Sequence, residues 1–311
     1  MARPMRKVIP LILPALLFWA AMPAPGVPKV RVETTVLPLR EFAAAIAGDR
    51  GEVSELLPPG AGVHTWQPRP GDILRLNSTD LLIAVGAGLE PWLPKLVGAV
   101  PKGRLRVLEV SAGLPLIRAE DEGIGEGAGE AHAHGPFDPH VWLDFGLDLH
   151  IADRIADALA ALDPAGAAAY REKAAVLKER LRGLDARFGA GLKECAGRRL
   201  VIAGHAAFGY LARRYGLVQT ALYGLSPDAQ PRPRQIIEVV ELCRKSGIRT
   251  VFFENSVPPD LARTLAAEIG GRVAVLYGGH NLTRDQLRRG VGFFDLMEED
   301  LKSLRDGLGC R

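Results

Sequence analysis

Only seven histidines occur in this chain of 311 residues, and four of them stand where a metal site is easiest to build. His64 lies in the turn-rich run Pro58-Pro59-Gly60-Ala61-Gly62-Val63-His64-Thr65-Trp66-Gln67-Pro68. His140 sits in Phe137-Asp138-Pro139-His140-Val141-Trp142-Leu143-Asp144, His205 opens His205-Ala206-Ala207-Phe208-Gly209-Tyr210, and His280 follows Val275-Leu276-Tyr277-Gly278-Gly279. Pro139 fixes its own φ and pushes Asp138 towards an extended conformation, so the backbone delivering His140 has little freedom. Imidazole nitrogens suit zinc, copper, iron or nickel, and three or four of them with at most one carboxylate suit zinc best. Glu254, at the end of an apolar run, is the acid that could join them. Magnesium or calcium would demand oxygen ligands that these positions do not offer. No local pair such as HExxH occurs, so separate elements have to bring the ligands together.

Those elements read as alternating strands and helices. Strands are expected at 30–36, 53–57, 81–85 and 106–110, with helices at 39–46, 71–77 and 90–100 between them. Such alternation builds a parallel sheet with crossover helices, and ligands gather at the carboxyl ends of its strands. His64 occupies a loop that leaves one of those ends. The second half repeats the architecture without repeating the sequence. Its strands are expected at 199–204, 218–222, 250–254 and 273–277, and its helices up to 215 and at 232–246, 261–269 and 284–308. His205, Glu254 and His280 then all fall at strand ends.

Between the halves, 147–162 and 164–192 carry helical periodicity, with Leu177, Leu181 and Leu184 spaced by four and three. The second stretch would run roughly 45 Å and reads as a strut between two lobes. His150, on the first of these helices, reads as structural. The fold class is therefore α/β: two lobes, each a parallel sheet flanked by helices, joined by a long rigid connector helix, with a metal site between them. The expected division is a signal peptide at 1–24, an N-terminal lobe at 25–163, the connector at 164–193 and a C-terminal lobe at 194–311.

Arg3, Arg6 and Lys7 precede a short, proline-broken apolar run over 8–21, the pattern of a secretory signal and too short to span a bilayer. Cleavage is expected between Ala21 and Gly26. Losing those three cations takes the formal charge of +3 to zero, which removes any electrostatic case for nucleic acid. No cysteine lies nearby for lipid attachment, so stable membrane insertion is not expected. Cys195, Cys243 and Cys310 imply one disulfide and one leftover thiol in an exported protein, with the pairing open. Residues 121–135 hold five glycines and almost nothing apolar, a surface loop. Glu120, Asp121, Glu122, Glu126, Glu130, His132 and His134 give it weak capacity for metal, with a solvated linker as the alternative reading.

The chain resembles the periplasmic zinc-binding components of ABC transporters, within the metal-specific group of solute-binding proteins, over essentially its whole mature length. Pro58-Pro59-Gly60 with His64-Thr65 and Pro68 resembles the family's first-ligand loop. Asp138-Pro139-His140-Val141-Trp142-Leu143-Asp144 matches its second-ligand motif, and His205-Ala206-Ala207-Phe208-Gly209-Tyr210-Leu211 its third. The resemblance implies a monomeric periplasmic protein that is not an enzyme. It would carry Zn²⁺ as its transported ligand to a membrane permease served by a separate ATPase subunit. No GxxxxGK[ST] loop occurs here, in keeping with ATP hydrolysis on another chain.

Departures accompany it. Gly62-Val63 stand where the family has Asp-Pro, and the acidic loop carries only two histidines. The family's usual aspartate after the last strand is missing, which leaves His280, Glu254 or water for the fourth position. Manganese members use an acid where His205 stands, so zinc is favoured over a manganese-binding component or a metal-dependent adhesin of the same fold. An exported zinc hydrolase would need an open coordination position and a general base, for which only Glu254 is at hand.

Overall fold

Two four-stranded sheets form around central strands of buried, mostly β-branched and leucine residues, with partly exposed strands at their edges. In the first, β1 (Val30–Thr34), β2 (Gly51–Glu55), β3 (Leu81–Ala84) and β4 (Arg106–Glu109) lie in the order β2-β1-β3-β4. In the second, β5 (Arg199–Ile202), β6 (Val218–Ala221), β7 (Thr250–Glu254) and β8 (Arg272–Leu276) lie in the order β6-β5-β7-β8. All six pairings are parallel. The same order recurs in both lobes, so each has a switch point between its first and third strands, where ligands collect. The computed structural model describes residues 28–101, 103–119, 135–225, 232–255, 257–280 and 282–311. The expected signal segment and most of the acidic loop, with His132 and His134, lie outside these residues.

Helices α1 (Leu37–Ala47), α2 (Pro70–Leu76) and α3 (Leu93–Gly98) belong to the first half, and α6 (Gly209–Tyr215), α7 (Pro233–Lys245), α8 (Asp260–Glu268), α9 (Arg284–Arg288) and α10 (Phe293–Leu308) to the second. Between them run α4 (Phe145–Leu162) and α5 (Ala167–Gly191). The Asp144 side chain caps α4 by accepting the Gly146 and Leu147 N–H groups. Tyr170, Ala174, Leu177, Leu181, Leu184 and Phe188 form the buried stripe of α5, at helical spacing. The strut expected from 164 begins instead with a 3₁₀ turn, Pro164–Gly166, and α5 itself is 25 residues, about 38 Å long.

Two other expectations change. The helix expected over 90–100 shortens to α3, because the Glu90 carboxylate accepts the N–H groups of Val85 and Gly86 in the turn before it. The helix expected over 284–308 breaks into α9 and α10 at Gly290, whose φ of 70° a helix cannot accommodate.

One continuous apolar core joins the lobes. It runs from Val32, Phe42 and Ile83 through Phe145, Leu181 and Phe188 to Phe252, Leu276, Phe293 and Met297. A second cluster, with Val201, Val251, Cys243 and Leu265, packs beneath α7 and α8. Cys195 and Cys310 form the disulfide, tying the end of α10 to the segment after α5, and Cys243 is the buried free thiol. No described helix is long and apolar enough to cross a membrane.

Two of the fully buried carboxylic acids, Asp148 and Asp300, have almost no hydrogen-bond partners. Neither oxygen of Asp148 has a hydrogen-bond partner, and Asp300 uses only Oδ1, to accept the Tyr277 N–H. Burial pushes both carboxyls well above the ordinary range. Each therefore keeps a proton in the fold that the unfolded chain releases above about pH 4. A state that binds more protons is favoured at low pH, so this contribution to stability is fully present in acid and declines as pH rises. Asp148→Asn is expected to raise the melting temperature of the metal-free protein more at pH 8 than at pH 5. Equal shifts at both pH values in thermal melts would show that Asp148 is not the protonated group.

Candidate metal centre

His140 is delivered by the extended turn before α4 and locked from both sides. Asp138 Oδ1 accepts the His140 backbone N–H at 2.9 Å and lies 2.7 Å from its Nδ1. The Asp138 N–H donates to the Ile117 carbonyl at 2.9 Å. Tyr210, from the second lobe, donates its hydroxyl to the Asp138 carbonyl at 3.0 Å and accepts the Ile117 N–H at 3.1 Å. With Nδ1 engaged by a carboxylate, the ring presents Nε2 to the cleft.

His205 follows β5 at the second sheet's switch point, opposite Glu254 at the end of β7. Glu254 Oε1 lies 2.6 Å from His205 Nδ1, so this ring too is held through Nδ1 and presents Nε2. The two Nε2 atoms stand 3.4 Å apart. Tetrahedral zinc with nitrogens at 2.0–2.1 Å holds them about 3.3 Å from one another, so this spacing fits one ion between the rings. His64 completes a triangle, its ring centroid 5.6 Å from that of His140 and 5.7 Å from that of His205. One nitrogen from each of His64, His140 and His205 falls within 4.8 Å of the others, and all three residues are buried. Carboxylate–imidazole pairs of this kind fix ring orientation and raise ligand basicity.

Glu254 and His280 lie beside this triangle rather than in it. Glu254 is fully buried and His280 half-buried. Burial alone would raise the Glu254 carboxyl, but His205, His280 and His140 together outweigh it and hold the carboxyl below its ordinary range. Burial lowers the His280 imidazole to about 4 despite the pull of Glu254, so it is neutral at pH 7. Burial likewise pushes the Asp138 carboxyl up to about 7, against the His140 N–H and the charge of His205. A Cβ at position 278 would lie 2.7 Å from His280 Nδ1, so glycine there is what lets the imidazole fold back against the turn.

That turn is held by the opposite lobe. Trp142 Nε1–H donates to the Gly278 carbonyl at 2.7 Å, and the Leu37 N–H donates to the His280 carbonyl at 3.2 Å. Asp138, Trp142 and Tyr210 are the supporting residues that histidine counting passes over. The signal for two of them was the run itself: an acid two residues before His140 and an indole two after it.

Comparison with known proteins gives consistent matches. The family described as the periplasmic zinc-uptake complex component A matches residues 32–307. The zinc-binding lipoprotein AdcA of Streptococcus pneumoniae is 32% identical over 279 residues, covering 89% of this chain and 55% of its own length. The chain thus spans about half the length of that relative. The high-affinity zinc uptake system protein ZnuA of Bacillus subtilis is 31% identical over 284 residues, covering 90% of this chain and 88% of its own. Among solved structures, the Zn(II)-bound ZnuA-like domain of Streptococcus pneumoniae AdcA superposes with a TM-score of 0.75 at 30% identity, covering 90% of this chain and 99% of that domain.

Proposed function

This chain belongs to the periplasmic zinc-uptake component A family, and from that membership we propose that it captures Zn²⁺ outside the cytoplasm and delivers it to an ABC-transporter permease. A separate ATPase subunit drives the uptake, and zinc is the cargo rather than a resident cofactor. The observation that carries this reading is the convergence of three imidazoles, two of them with Nδ1 tied to a buried carboxylate and Nε2 directed at a common point.

His64, His140 and His205 are the ligands in this reading. Glu254 acts through His205 as its orienting carboxylate. His280, neutral and with a buried Nδ1 that lacks a hydrogen-bond partner, stands ready for the fourth position when water does not fill it. A nitrogen-rich set prefers zinc to manganese, which favours carboxylate and water oxygens. A site closed by imidazoles holds an ion and does not activate water on it, which argues for carriage over hydrolysis.

The test is competitive titration of the metal-stripped protein with zinc and manganese, read by calorimetry and elemental analysis. One zinc per chain, retained against excess manganese, is expected. Equal retention of manganese would overturn the zinc assignment, and no binding of either would overturn the carrier reading.

A further inference from the structure

His140 and His205 are oriented by Asp138 and Glu254 at their Nδ1 atoms. The loop of His64 is gripped on either side of the histidine by one indole. Trp92 is almost fully buried, and its Nε1–H donates to the carbonyl of Val63 at 2.8 Å, immediately before the ligand. On the other side, the Trp66 ring packs edge-on against Trp92 with centroids 4.6 Å apart. Between these contacts the chain makes a tight turn, in which the Thr65 and Trp66 N–H groups both donate to the Gly62 carbonyl. Val63 and His64 are buried while Gly62 and Thr65 on either side are exposed, so the turn dips into the cleft only where Trp92 holds it.

Trp92 is itself anchored. Glu90, two residues earlier, is buried and accepts the Thr35 hydroxyl at 2.6 Å, the Val85 N–H at 2.9 Å and the Gly86 N–H at 3.0 Å. Thr35 and Val85 follow β1 and β3, the strands that flank the first lobe's switch point. A continuous line of contacts therefore runs from the sheet through Glu90 and Trp92 to the backbone that carries His64. An indole ring has a fixed direction for its single N–H, which makes it a geometric reference as well as a filler.

We propose that Trp92 is the positioning residue for His64: its N–H on Val63 and its edge-on contact with Trp66 hold the first imidazole at coordinating distance. This rests on the zinc-carrier reading of the site. Residues that orient a ligand from outside the coordination sphere typically change metal affinity by about 10–100-fold.

The test is a double-mutant cycle of Trp92→Phe and His64→Ala, read by zinc affinity against a competing chelator and by the visible spectrum of the Co²⁺-loaded protein. Trp92→Phe keeps an apolar ring but loses the N–H. It is expected to weaken zinc binding about tenfold in the parent and to have no further effect once His64 is alanine. Its Co²⁺ spectrum should move towards that of His64→Ala. An equal loss in both backgrounds would mean a general packing role and overturn the proposal, as would parent-like affinity with a parent-like spectrum. Should Trp92→Phe fail to fold, Trp66→Leu tests the second contact in the same cycle, with the same outcomes for and against. Absence of zinc binding by the parent would overturn the carrier reading itself, an outcome separate from a parent that binds while Trp92→Phe matches it.

Discussion

Alanine at His140 or at His205 is expected to weaken zinc binding by on the order of 100-fold each, and the two together to abolish tight binding. Structural zinc sites with four protein ligands release roughly 12 kcal/mol on binding, so one imidazole represents about 3 kcal/mol, or about two orders of magnitude in affinity. The loss has a second component here. Removing either ring leaves a buried carboxylate, Asp138 or Glu254, without the partner it now has at 2.7 Å or 2.6 Å. Asp138→Asn and Glu254→Gln keep the rings and alter only their orientation and basicity, so they should cost less, about tenfold. This ranking, ligands above their carboxylates, is what distinguishes the assigned geometry from one in which Glu254 binds the ion directly. Chelator-competition titrations of the four variants measure it, with thermal melts to confirm folding. A Glu254→Gln loss equal to that of His205→Ala would move Glu254 into the coordination sphere.

Replacing Cys195 and Cys310 together by serine should lower stability by about 4–5 kcal/mol and the melting temperature by roughly 10 °C, while zinc affinity stays unchanged. The cysteines are 115 residues apart, and the loop they close contains all four strands of the second sheet. In the chain-entropy account, closing so long a loop removes many conformations from the unfolded state and leaves the folded one untouched. The bridge is also remote from the histidines in the fold's logic, since it joins the end of α10 to the segment after α5, whereas the site lies at strand ends. Melts of the metal-free double variant, and of the parent with and without reductant, supply the comparison. An unchanged melting temperature would show that the core alone defines the second lobe's stability. A drop in zinc affinity would show that the bridge reaches the site.

Much of this architecture was legible because its signals are local. Alternating apolar strands and crossover helices announced two parallel sheets, and His205 and Glu254 fell at strand ends where the switch-point rule puts ligands. Other features depend on contacts distant in sequence. Nothing local to Trp92 marks Val63 as its acceptor, and nothing near Tyr210 marks Asp138. The cysteine pairing was open for the same reason: three thiols permit three bridges until the path of α10 is known. The break between α9 and α10 was written locally, in Arg289-Gly290-Val291-Gly292, but the apolar periodicity resuming at Phe293 concealed it. The placement of His280 was not legible because a turn of two glycines has no preferred direction until Trp142 and Leu37 hold it.

The junction of α1 with α10 also ties the two ends of the chain into one core. Phe42 meets Phe293 edge-on at 5.5 Å, and Glu41 accepts the Phe293 N–H at 2.9 Å, so the earliest helix is sealed by the final one. Contacts across such a separation are rewarded only after the intervening chain has been gathered in. α1 also packs on α4 and α5, and its contacts with Phe293 and Phe294 are added only when α10 is in place. The packing around Phe42 is thereby finished by residues about 250 positions later in the chain, so truncating α10 would open the first half's core as well as the second's.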